Sequence, residues 1–131
     1  METSEAMNAA LKNIPKALAA GIVDMESGFV IDMKTTESHP QEILELLSAA
    51  TKELYEGETV MEIEQLFKRS RGVKTEAKYF KEIIIYSENL IHFFTRLQSN
   101  PAVVFAVITQ VDTNIGLVVL KGKQIAKEIN L

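Results

Sequence analysis

With 131 residues, 47% of them hydrophobic, the chain is long enough to bury the core of one domain and too apolar for intrinsic disorder. It has no cysteine, which excludes disulfides, thiolate catalysis and cysteine-ligated zinc or iron–sulfur centres. No apolar run approaches the ~20 residues that span a bilayer, and the N-terminal stretch lacks a basic leader ahead of an apolar core. A cytoplasmic protein without membrane insertion is expected.

The net charge of −4 is unevenly laid out. Residues 1–67 hold 13 acids against 4 lysines, and residues 68–131 hold 5 acids against 10 bases. Such an imbalance suits self-association of complementary faces or an oriented approach to a charged partner, and equally suits solvated faces.

In chain order, residues 2–13 carry a weak helical stripe through Ala6, Ala9, Ala10, Leu11 and Ile14 that Pro15 ends. Two β-rich runs, 18–25 and 29–33, flank Glu26-Ser27-Gly28 and read as a hairpin. Glu37-Ser38-His39-Pro40 signals a helix start, with Pro at the first helical position. From there Ile43, Leu47, Ala50 and Leu54 recur at helical spacing, widened by Leu44 and Leu46. Gly57 interrupts, and Val60, Ile63, Leu66 and Phe67 restart a stripe that runs to Arg71-Gly72. One long bent helix or two consecutive helices fit equally.

Residues 78–87 and 90–98 read as a second hairpin around Glu88-Asn89. Ser99-Asn100-Pro101 turns the chain into a closing apolar strand at 102–108. Asp112, Thr113 and Asn114 then supply oxygens that can cap a last helix. The pattern predicts an α+β fold over 1–131, one domain ordered α-β-β-α-β-β-β-α, the second helix long or split.

Chemistry-bearing motifs are scarce. His39 and His92 are the only histidines and lack metal-ligand spacing. Asp24 and Asp32 flank the first turn and read as solvent-side or strand-end residues rather than an acid–base pair. Gly122-Lys123 is followed by Gln124, so the serine or threonine of a phosphate loop is missing, and Gly116 is the expected point of close helix–sheet packing. Lys68, Arg69, Arg71, Lys74, Lys78 and Lys81 form a basic cluster whose nearest aromatics, Tyr79 and Phe80, are expected to pack. Nucleic-acid binding is therefore not expected; the cluster reads as a solvated helix end and loop or as a protein contact, for which Lys68, Arg69, Arg71 and Lys74 are the candidates. Ile83-Ile84-Ile85 reads as a central strand or as an edge that pairs with a second copy, and together with the wide apolar arc of the second helix it exceeds what one sheet face can cover; that favours a dimer, with Leu47, Leu54, Ile83 and Ile85 as its candidate residues.

Three stretches, AGIVDMESGFVIDM, YFKEIIIYSENLIHFFTRL and VVFAVITQVDTNIGLVVLKGKQIAKEI, resemble the Roadblock/dynein light chain family. The most specific is the closing strand followed by the helix opening Asn114-Ile115-Gly116-Leu117. The resemblance implies a five-stranded antiparallel sheet with helices on both faces, and dimers that pair the third strands, about 79–86, and pack the second helices, about 43–54. It implies no catalytic residues and no cofactor. Family members serve as dynein-associated light chains, as scaffolds for small GTPases and, in bacteria, as activators of a gliding-motility GTPase. The stretch 58–74 departs from the pattern, being longer and more helical.

The expected function is a non-enzymatic homodimeric adaptor or regulator of a small Ras-like GTPase or of a motor or signalling complex. A small-molecule sensor of PAS or profilin-like type is the alternative, and it needs a polar-lined cavity that the aliphatic core does not suggest. An enzyme is not expected without a nucleophile motif.

Overall fold

The computed structural model describes residues 1–36, 41–72 and 78–131, with the backbone alone over 41–46. Its elements are α1 (Thr3–Asn13), β1 (Ala17–Asp24), β2 (Val30–Thr35), α2 (Gln41–Glu56), α3 (Glu58–Ser70), β3 (Glu82–Tyr86), β4 (Leu90–Arg96), β5 (Val103–Gln110) and α4 (Ile115–Glu128). The strands form one antiparallel sheet ordered β2-β1-β5-β4-β3.

Strands β1 and β5, inside the sheet, are apolar on both faces because helices cover both. Side chains alternate across a strand, so neighbours in sequence part company. Ile22, Phe93 and Phe105 join Met7, Ala10, Val118 and Ile125 in a core beneath α1 and α4. Val23, Phe94 and Val104 join Met25 and Tyr55 in a smaller core on the α2 side. Fully burying a side chain the size of Phe93 contributes roughly 2–3 kcal/mol.

Helix boundaries follow local chemistry. Asn114 is the N-cap of α4, its side-chain oxygen accepting from Leu117 N at 3.2 Å. At the α2–α3 junction Gly57 N donates to Glu53 O at 2.9 Å, and a Cβ on Gly57 would lie 2.6 Å from that same oxygen. Only glycine fits, so the second helical region is two helices and not one. The Asp24 carboxylate closes the first hairpin, accepting from Glu26 N and the Ser27 hydroxyl.

Two sequence expectations change. Close helix–sheet packing falls at Gly122, where a Cβ would lie 2.8 Å from Phe93 Cε2, and not at Gly116, which is exposed. The third strand begins at Glu82 and not at 78: Lys81 O still accepts from Arg96 N of β4 at 3.0 Å, but ahead of it side chains take up Tyr79 N and Phe80 O. The expected start signal at Glu37-Ser38-His39-Pro40 lies outside the described residues, as do the side chains of Ile43, Leu44 and Leu46.

Candidate interaction surface

The sheet order leaves β3 with one strand neighbour. It pairs with β4 from Glu82–Thr95 to Tyr86–Ile91, and among the described residues its outer edge faces no strand. Ile83 and Ile85 rest half-buried on the α2-side core. Ile84 and Tyr86, on the other face, are 45% and 58% exposed. An apolar edge strand with free N–H and C=O groups is a template for another strand.

On α2, Ser48, Thr51 and Tyr55 turn inward. The Ser48 hydroxyl donates to Gly28 O, and Lys52 Nζ donates to Glu26 O at 2.6 Å, tying the helix to the first hairpin. Leu47 and Leu54, seven residues apart and so on one helix face, are 40% and 38% exposed. The four residues singled out from the sequence thus divide: the α2 pair is exposed, and the β3 pair is half-buried on the same side of the sheet.

Three buried side chains from three elements hold the segment that leads into β3. Glu64 on α3 accepts from Tyr79 N at 2.9 Å through Oε2, and from Lys68 Nζ at 3.2 Å through Oε1. Arg96 on β4 donates from Nε to Phe80 O at 2.6 Å and from Nη1 to Pro101 O at 2.7 Å, and Nη1 also meets Glu56 Oε2 at 3.3 Å. The Tyr55 hydroxyl donates to Lys81 O at 3.0 Å. Burial pushes the Tyr55 phenol well above its ordinary pKa, against the opposing pull of the Arg96 charge, so it stays a neutral donor. Sequence reasoning overlooked this trio. The available signal was a charge set against apolar residues: Arg96 closing LIHFFTR, and Glu64 beside Ile63.

The basic cluster does not form one patch. Lys68 is bound to Glu64, Lys78 lies 3.8 Å from Glu56, and the Arg71 guanidinium sits 5.4 Å from the centre of the Phe67 ring. Arg69 is exposed on α3, and Lys74 lies outside the described residues. Tyr79 and Phe80, expected to pack within a strand, lie instead ahead of β3 and are partly exposed. Tyr79 stacks on Phe67 at 5.6 Å and meets Phe80 at 4.9 Å.

His92 lies on β4, stacked on Phe94, and burial lowers its pKa. His39 is outside the described residues. Among the described residues no group of three or more His, Cys, Asp or Glu could hold a metal ion. Among them also, no helix is long and apolar enough to cross a membrane.

No family model matches the chain, and no curated protein does. Solved structures resemble it over nearly its whole length. MglB of Myxococcus xanthus, 20% identical, matches 95% of this chain and 88% of its own with a TM-score of 0.69. The gliding protein MglB of Thermus thermophilus, 18% identical, matches 95% and 82% with a TM-score of 0.69. A Roadblock/LC7 domain from Streptomyces avermitilis, 10% identical, matches 97% and 93%, also at 0.69. By these matches over nearly its whole length, this chain has the Roadblock fold.

Proposed function

We propose that this chain is a non-enzymatic homodimeric adaptor that regulates a small Ras-like GTPase. The observation that carries the reading is the β3 edge: three consecutive isoleucines with free backbone groups, on a sheet whose α2 exposes Leu47 and Leu54. Antiparallel pairing of two β3 edges would join two five-stranded sheets. Packing of two α2 helices would remove Leu47 and Leu54 from water and complete the cover over Ile83 and Ile85. The partner class is supported by the shared fold with a gliding protein and by a family whose bacterial members activate a gliding-motility GTPase. Lys68 and Arg69, at the end of α3, are the contacts proposed for that partner, with Arg71 and Lys74 beyond it.

The test has two parts. Light scattering at micromolar concentration should give the mass of two chains. The immobilised chain should then retain a small GTPase from its own host, preferring one nucleotide state, and should change its GTP turnover. A single-chain mass, or a lysate that yields no GTPase, overturns the respective half. Recovery of a motor or signalling subunit would favour the other adaptor role. The sensor reading gains no support: Met7, Phe93 and Phe105 fill the space beneath α1 and α4.

A further inference from the structure

We propose that a groove beside α4 receives helix α3 of another copy, in a head-to-tail contact separate from the β3–α2 interface. The groove encloses about 920 Å³ between α4 and the segment leading into β3. Its walls carry Lys78, Lys81, Lys123 and Lys127, and Leu97, Val119 and Leu120 give it an apolar side. Among the described residues Glu82 is the one acidic residue lining it, and Lys123 already engages it at 3.2 Å. Among the described residues Lys81 and Lys127 form no ion pair, and Leu120 is half exposed.

The complementary element lies on the same molecule. Glu58, Met61, Glu62, Gln65 and Leu66 share the outer face of α3 at helical spacing, ending at Arg69. Leu66 is 58% exposed, Met61 is partly exposed, and neither Glu58 nor Glu62 forms an ion pair among the described residues. An acidic and apolar helix thus answers a basic and apolar groove, and a 13-residue helix is about 20 Å long. The opposite charges of the two halves of the chain, −9 over 1–67 and +5 over 68–131, point the same way. The apolar side of the groove favours a helix over a nucleic-acid strand as its occupant.

The two surfaces differ, so the contact is heterologous and continues beyond a pair. It rests on exposed charges and weakens with salt.

Sedimentation velocity from about 10 to 200 µM, at low and at about 300 mM salt, tests it. The weight-average mass should climb past two chains at low salt and fall back at high salt. Glu58→Lys/Glu62→Lys alone, and Lys81→Glu/Lys127→Glu alone, should each associate at least tenfold more weakly. Mixing the two variants should restore association, because each then meets a partner of opposite charge. Thermal melts confirm that both remain folded. A wild-type mass that does not rise with concentration overturns the proposal, including the case where the groove takes an acidic helix from a different protein. A mixture no stronger than its components also overturns it. Leu47→Asp/Leu54→Asp, which opens the proposed dimer, leaves the head-to-tail contact in place, so the two can fail independently.

Discussion

The Arg96 guanidinium lies 4.6 Å from the centre of the Tyr55 ring, and the two side chains hold successive carbonyls, Phe80 O and Lys81 O. A helix and a strand thereby grip adjacent peptide units just before the exposed edge begins. The geometry of β3 is therefore set by α2 as well as by its ladder with β4.

Arg96→Met should destabilise the protein by about 3 kcal/mol, since it strips two carbonyls and the Glu56 carboxylate of a buried donor. Tyr55→Phe, which removes one hydroxyl donor and keeps the ring, should cost about 1 kcal/mol. Denaturant melts give both values. Amide exchange should show the Arg96 variant opening first over β3; uniform loss of protection would argue against a local grip.

Charge introduced on α2 and β3 should separate dimerisation from folding. Leu47→Asp/Leu54→Asp alters two exposed positions and, at about 300 mM salt where the head-to-tail contact is screened, should give a folded single chain whose melting temperature falls only by what association contributed. Ile83→Lys and Ile85→Lys also strip the cover from the core of Val23, Phe94 and Val104, so they should lose stability and solubility together. Light scattering beside circular dichroism distinguishes the two. A Leu47/Leu54 variant that stays paired would remove α2 from the proposed interface.

Gly122→Ala should destabilise by about 1–3 kcal/mol despite alanine's better helix propensity, which is worth up to about 1 kcal/mol. The added Cβ meets the ring of Phe93, which is fully buried and has nowhere to go. Phe93→Leu in the same chain should recover part of the loss. Additive costs would mean that the two do not collide.

Stability should also depend on pH through His92. Burial lowers its folded-state pKa below the usual 6.5, so the unfolded chain takes up the proton first as pH falls. Stability is complete above that value and declines below it until the folded imidazole also titrates. His92→Gln should flatten the profile in this range. A slope that persists in the variant would assign the effect elsewhere.

The legible parts of this fold were the ones governed by neighbours in sequence. Asn114 caps a helix through a residue three positions on, and Gly57 breaks one because of a carbonyl four positions back. Both appear in the sequence as local signals, and so do the hairpin turns. The length of β3 does not: it depends on Glu64 and Arg96, whose side chains lie 15 and 16 residues from the backbone groups they hold. Gly116 and Gly122 differ only in which faces a phenyl ring, and that distinction needs the register of α4 over β4. The candidate dimer residues were read from excess apolarity, which marks an uncovered face without saying what covers it.

The central pairing of β1 with β5 carries a kinetic consequence. Ile22 sits opposite Phe105, so the middle of the sheet closes only when segments about eighty residues apart find each other. Hairpins β1–β2 and β3–β4 can form early from local contacts, but each alone exposes an apolar face until that long loop is closed. Nascent chains released before β5 and α4 emerge would hold β1 and β4 without the strand that lies between them. In a cell, the arrival of residues 103–128 decides whether residues 3–24 are buried or left open to aggregation.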